Sequence, residues 1–528
     1  MRAPPRRVAV PTALAAAGAL TVAAAGVRGP DYPAHALRGE LWRRSGIGVW
    51  NFTWYGGHAT PTYSVIVPAV VAAVGAVAVC VVAAVAATGL AAHLIDALAA
   101  DMPPPARLLA ASAFAAGSVV NVVVGRVGFA AGLALLLAAL VAWHGGRPAA
   151  SVAIAVLVPL TSPVVAAFGA IVMAAVGADA WSRRRHALPG QAVAIVAALS
   201  TPLLVMAVQF GGVGHFPYRG NHVAFALVVF TTAAAAHRIR VVTIAAAMAG
   251  VAAVVLYAVP NPLGGNFSRF TQYFAVPVLV LGAFRARRVL AAVTAVVAVL
   301  AVAWTVDQGV AAARQWSGDP LGESSYHQPL IDELVRRNAD GLPIGRVEIP
   351  FTDTHWEAHY VAPVVPYARG WERQIDLDRN PELYAELTAA DYRTWLHDNA
   401  VRWVAVPDAA LDEGGRAEAA VIATRPEWLD PVWSNADWQL FQVAGYTPLV
   451  APPAELVRQD VDTIVVRTPA PGEVIVRYRY DADLTIDGGA CLARAGNWIA
   501  ARLPAAGVYT IAAPLSAWLP GARGTSCR

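Results

Sequence analysis

Asp31, His35, Arg38 and Trp42 are spaced at four, seven and eleven residues from the first of them, in the stretch "GPDYPAHALRGELWRR". On a helix such spacings share one face. The chemistry offered there is a carboxylate, an imidazole and a guanidinium beside an aromatic ring. A carboxylate or an imidazole can move a proton at a reacting hydroxyl, and Arg can hold a phosphate. Asp31 ahead of Tyr32-Pro33 is also a helix-start signal, an N-cap type followed by Pro in the first turn. The spacing predicts a helix over 32–44, with Glu40 on the opposite side. The chain continues as "SGIGVWNFTWYGGHATPTYS". Its Trp, Tyr and Gly content suits a sugar-stacking surface, with Trp54 as a candidate ring, or an aromatic belt at a membrane interface. Capping by Asp31 and anchoring by the rings would explain each residue singly. It is the grouping on one face that points to a site.

The elements that must position these residues lie in a membrane. The chain has 528 residues, 57% hydrophobic and only 14% charged, where soluble domains carry about 25% charged residues. Apolar residues cluster up to about residue 305, and charge, Trp and Pro rise beyond it. Apolar segments fall at 8–27, 64–91, 106–122, 128–143, 148–161, 163–180, 190–210, 221–236, 240–259, 270–284 and 289–305. About 20 residues suffice to span a bilayer, so the reading is an α-helical polytopic domain of about eleven spans. The run 148–180 breaks at Thr161-Ser162-Pro163, which reads as the tip of a helical hairpin. Segment 8–27 comes after Arg2, Arg6 and Arg7 and reads as a retained helix. A cleaved signal peptide is the alternative, and it would leave the later spans in the same orientation.

Arginine sets the topology. All 39 basic residues are Arg. The N-terminus, residues 101–107, "HGGRP", "WSRRRH", "HRIR" and "RARR" read as cytoplasmic, and the alternate loops "NVVVGRVG", "QFGGVGHFPYRGNH" and "NPLGGNFSRFTQ" as external. The N-terminus is then cytoplasmic, and loop 28–63 and the C-terminal domain are extracytoplasmic. Arg126, Arg219 and Arg269 each fall at the external end of a span. They suit an anionic ligand such as a lipid phosphate, or plain snorkelling to head groups. No basic stripe with interleaved aromatics suggests nucleic acid, and no GxxxxGK[ST] suggests nucleotide-driven transport.

An acid early in the first external loop, with an interfacial helix after it, resembles GT-C-type glycosyltransferases. The pattern "DYPAHALRGELWRRSGIGVWNFTWYGG" is closer still to bacterial multispanning proteins labelled 6-pyruvoyl-tetrahydropterin-synthase-related, although the chain shows no pterin-enzyme feature. The resemblance implies an inverting transferase that uses a polyprenyl-phosphate sugar and an envelope glycan or glycolipid acceptor. Asp31 and His35 are then the candidate catalytic residues. Arg38, Trp42, Trp54, Arg126, Arg219 and Arg269 are the candidate substrate-binding residues. Many GT-C enzymes carry two adjacent acids in this loop where Asp31 stands alone, so catalysis and mere binding both stay open. A divalent metal is an open cofactor question. A transporter or lipid-handling protein and a non-catalytic envelope scaffold are the alternatives.

The tail reads as an α/β domain over about 306–450 and a small β module over 451–528, with "GYTPLVAPPAEL" as the linker between them. "YHQPLIDELVRRNAD" and "ADYRTWLHDNA" read as helices, "GRVEIPFT" and "VRWVAVPD" as strands, and "PVWSNADWQLFQV" as a hairpin turning at "SNAD". His355, Glu357 and His359 would share one face of a strand and could gather a metal there, whereas in a loop they would be solvated or locally bonded. Arg369, Trp371, Glu372 and Arg373 could bind carbohydrate or pack the tail. An extracytoplasmic tail would let Cys491 pair with Cys527, while Cys80 reads as a packing residue.

Overall fold

In lipid every backbone N–H and C=O must be satisfied within the segment, and the apolar runs accordingly become helices. The computed structural model describes residues 5–183, 188–211, 214–316, 319–519 and 524–527. Arg2, residues 184–186 of the "WSRRRH" loop and residues 212–213 of the glycine-rich loop lie outside them. The chain divides into two compact units, Met1–His35 with Pro61–Ser317, and Ala36–Thr60 with Gly318–Arg528.

The first unit is helical. It holds α1 (Arg6–Ala24), the start of α2 (Tyr32–Ser45), α3 (Val67–Val74), α4 (Ala76–Leu98), α5 (Pro104–Val124), α6 (Val127–His144), α7 (Pro148–Thr161) and α8 (Pro163–Ser182). Next in the chain are α9 (Leu188–Gln209), α10 (Gly220–His237), α11 (Arg240–Ala258), the short α12 (Ser268–Phe270), α13 (Val276–Arg285) and α14 (Arg288–Trp316). Pro sits in the first turn of α5, α7 and α8, where a missing N–H costs nothing. Among the described residues nine helices are long and apolar enough to cross a membrane, and the protein is a multi-pass membrane protein. Two of the eleven expected segments are not among those nine: α7, with 14 residues, and α10, whose ends carry Asn221, His222 and His237. The expected break is present, with Ser162 extended between α7 and α8. α14 continues to Trp316, past the end expected at 305. Small residues let helices approach closely: a Cβ on Gly132 would lie 2.7 Å from Ser162, and one on Gly309 3.0 Å from Val120.

The second unit is α/β and β-rich, as its alternating pattern predicts. It takes in most of α2 and a small hairpin of β1 (Trp50–Asn51) and β2 (His58–Ala59). Next come α15 (Ser324–Asn338), β3 (Arg346–Glu348), α16 (Glu357–Tyr360), α17 (Arg373–Arg379), α18 (Ala389–Asp398), β4 (Val401–Pro407), α19 (Glu413–Ala423), β5 (Leu429–Ser434) and β6 (Trp438–Val443). Strands order as β3-β4-β6-β5, with β3 parallel to β4 and the rest antiparallel. Asn435 closes the β5–β6 turn by accepting from the N–H groups of Asp437 and Trp438. The β-rich part comprises β7 (Glu455–Gln459), β8 (Thr463–Thr468), β9 (Gly472–Arg479), β10 (Thr485–Ile486), β11 (Cys491–Ala495), β12 (Trp498–Leu503) and β13 (Gly507–Ala512). It forms two sheets, β10-β13-β8-β7 and β11-β12-β9. The segment read as a linker is not a free one. Leu449 and Val450 are buried, Leu449 N–H bonds the Ile344 carbonyl, and Ala451 N–H bonds that of Ile475. Apolar Leu and Val between the prolines make burial the better solution. A disulfide joins Cys491 to Cys527.

Candidate functional site

Asp31 is placed by a close backbone approach. Gly29 and Asp31 donate their N–H groups to the carbonyls of Val123 and Val124 at the end of α5, and the Tyr32 hydroxyl donates to that of Val122. Two glycines permit this. A Cβ on Gly29 would collide with the Val123 carbonyl, and Gly125, at φ +90°, has Tyr32 N where its Cβ would be, at 2.7 Å. The same turn delivers Arg126, so loop and helix end bring carboxylate and guanidinium to one place. Arg126 Nη2 donates to Gln308 Oε1 of α14 at 2.7 Å, while its Nε and Nη1 make no hydrogen bond. Arg269 Nη2 lies 3.9 Å from Asp31 Oδ2, and its guanidinium sits 5.2 Å over the Phe129 ring. Arg126, Asp31, Tyr63 and Tyr273 all act electrostatically on Arg269. The Tyr273 hydroxyl lies 2.7 Å from the Gly117 carbonyl and 2.8 Å from Asn121 Oδ1, and its one proton is donated to either acceptor.

One carboxylate and two guanidiniums from distant parts of the chain thus meet in the membrane unit. The Asp31–Arg269 separation exceeds hydrogen-bond length, so neither group is consumed by the other. His35 is buried in the same unit, with Nε2 3.5 Å from the Tyr63 hydroxyl. Arg219 is exposed just before α10 and acts on His222. Sequence reasoning missed Tyr63, Tyr273 and Gln308. Gln308 was legible only as a polar residue after the last apolar run, and the structure puts it inside α14.

The four-residue face proposed for α2 is divided. The unit boundary falls between His35 and Ala36, so Asp31 and His35 belong to the membrane unit and Arg38 and Trp42 to the tail unit. Arg38 is buried in an ion pair with Glu372. His58 Nε2 is 3.5 Å from the same carboxylate. Burial would raise the Glu372 carboxyl, but the Arg38 guanidinium and His58 hold it below its ordinary range. Trp54 is fully buried, donates its indole N–H to the Ala358 carbonyl at 3.0 Å, and stacks on His58. The expectation of Arg38 and Trp54 as substrate ligands is corrected accordingly: neither presents a free face, because the aromatic loop forms core of the tail unit. Trp42 is half-buried.

The metal reading of the tail is corrected too. His355, Glu357 and His359 do not alternate along a strand, since α16 begins at Glu357 and turns the side chains apart. His355 takes a left-handed conformation (φ 59°) and stacks against Trp371. Among the described residues no three His, Cys, Asp or Glu gather as metal ligands. Beside Asp31 the neighbouring charges are guanidiniums, so the residues present do not fit a divalent ion. Arg369 packs rather than binds. It is fully buried, with hydrogen bonds to Asp376 and Glu418 and with Glu348 3.6 Å away.

No protein-family model matches the chain, and no curated protein matches it. Among solved structures it is similar to the Archaeoglobus fulgidus oligosaccharyltransferase tethered with an acceptor peptide containing the NVT sequon via a disulfide bond. The TM-score is 0.40 and the identity 11%, over 72% of this chain and 65% of that one. The chain therefore spans less than two thirds of that protein's length. A likeness of this degree names no activity for the chain.

Proposed function

We propose that the protein is a GT-C-like membrane glycosyltransferase. It transfers a sugar from a polyprenyl-phosphate donor to an envelope glycan or glycolipid at the outer face. The observation that carries this reading is the meeting of Asp31, Arg126 and Arg269. Arg126 and Arg269 hold the donor phosphate, for which guanidinium donors are suited. Asp31 accepts the proton of the acceptor hydroxyl as its oxygen attacks the anomeric carbon. The bond from that carbon to the phosphate oxygen breaks, and the polyprenyl phosphate leaves with the electron pair. His35 and Tyr63 stand beside this site as a hydrogen-bonding pair. No step requires a metal. The tail disulfide and the cytoplasmic bias of Arg support a cytoplasmic N-terminus and an extracytoplasmic tail.

Purified full-length protein should transfer label from a polyprenyl-phosphate sugar to envelope glycolipid. Asp31→Asn should lower the rate by about 10²-fold or more, and Arg269→Gln should weaken donor binding. Absence of transfer by the wild type, with envelope glycans unchanged in an Asp31→Asn strain, would sink the reading. The extended Ser162 between α7 and α8 favours a second one, a lipid transporter, since interrupted helices mark transport sites. Lipid flipping in reconstituted vesicles without sugar transfer would select it.

A further inference from the structure

Thr271 and Gln272 take no part in the proposed transfer chemistry, yet they are the most anomalous polar pair in the membrane unit. They are 0% and 3% exposed. Thr271 Oγ1 and both Oε1 and Nε2 of Gln272 make no hydrogen bond. The backbone adds to this. Residues Thr271–Ala275 form a π-helical turn in which the Val276 N–H is donated to the Thr271 carbonyl, five residues back. The Gln272 carbonyl would find its own such donor at residue 277, and Pro277 has no N–H. An α-helical turn would have given the Val276 N–H to Gln272 instead.

The turn therefore concentrates a hydroxyl, a carboxamide and a backbone carbonyl within one turn of Arg269. The hydroxyl and both carboxamide atoms find no partner within the protein. Buried polar groups are nearly always partnered, and single π-turns recur at functional sites. The set is uncharged and both donates and accepts. A phosphate, which mainly accepts, would leave the Gln272 oxygens unmet. A sugar hydroxyl both donates and accepts.

We infer that Thr271 and Gln272 bind the hydroxyls of a neutral sugar head group whose phosphate is held at Arg126 and Arg269. This rests on the transferase reading and names the donor-sugar subsite within it.

The test uses the full chain in nanodiscs. The probes are undecaprenyl phosphate and the same lipid carrying mannose, glucose or N-acetylglucosamine. The wild type should bind at least one sugar-bearing lipid more tightly than the sugar-free lipid. Gln272→Leu should erase that gain, about tenfold or more, leave sugar-free binding unchanged and raise the Tm of the lipid-free protein by removing unmet polar atoms. Thr271→Val should lose part of the gain and carries the same comparison if Gln272→Leu does not fold. A wild type that shows no preference for any sugar-bearing lipid overturns the inference. So do variants that keep the preference, and a Gln272→Leu protein with lower Tm and unchanged binding, which would assign these groups to internal water. A wild type that binds neither kind of lipid brings down the transferase reading itself.

Discussion

The carboxylates buried around Arg369 are balanced by one cation and by protons. Arg369 faces Glu348, Asp376 and Glu418 in a site closed to solvent. Burial raises the Glu348 carboxyl well above its ordinary value, helped by Glu418, and pushes Glu418 up to about 7. Burial likewise pushes Glu357 up to about 8, although Thr352 donates to it through both its N–H and its hydroxyl. The native state thus holds the Glu357 proton after the unfolded chain has released it. Its contribution to stability is full below about pH 4.5 and is lost as pH rises to about 8. His355, 3.9 Å away and held far below its ordinary value by burial, works in the opposite sense below about pH 6.5. Comparison with Glu357→Gln isolates the carboxyl. The variant should lose less stability than the wild type between pH 5 and 8 in denaturant titrations. An identical pH slope in both would refute the assignment. At this scale the sequence marked Arg369 and Glu372 as a dense polar patch, but which acids surround them depends on residues tens of positions away.

Helix α2 shows what an element can and cannot carry. Its bounds, Tyr32–Ser45, match the Asp-Tyr-Pro start signal closely. Its register against other elements comes from Gly29 and Gly125, whose lack of a Cβ admits the close pass over α5. Gly125→Ala puts a methyl against Tyr32 and forces a left-handed residue, at a cost of about 1–3 kcal/mol. The Tm should fall, and sugar transfer should fall further than stability alone explains, because Asp31 moves with Tyr32. Wild-type transfer by a folded Gly125→Ala protein would refute this positioning role. The strand that would have set His355, Glu357 and His359 on one face does not form, and the loop alternative gives way to a helical turn that buries Trp356 and Ala358: alternation over three polar residues is too short a signal to decide between them.

For the molecule as a whole, residues 36–60 are structurally part of the tail unit. Phe52 N–H bonds the Val461 carbonyl, the Arg379 guanidinium bonds that of Gly57, and Arg479 N–H bonds that of Gly56. With Trp54 fully buried and Arg38 paired to Glu372, residues 36–60 act as an inserted core element. A fragment starting at residue 319 should therefore be protease-sensitive and poorly soluble. The same fragment with residues 36–60 joined by a flexible linker should fold. Cooperative unfolding of the bare fragment, with the Tm of the joined one, would contradict this.

The sequence by itself determined the membrane class, the helix starts and the alternation of the tail, because these depend on local hydrophobic period and on what Pro and Gly do to the adjacent backbone. It also singled out Asp31, Arg126 and Arg269 by their place at the ends of apolar runs. Only the tertiary structure decided that these three meet, that Arg38 and Trp54 serve packing, and that the side chains of Gln272 and Thr271 lie unmet in a π-turn. Contacts between residues hundreds of positions apart depend on which helices are neighbours, and no local pattern of residues encodes that.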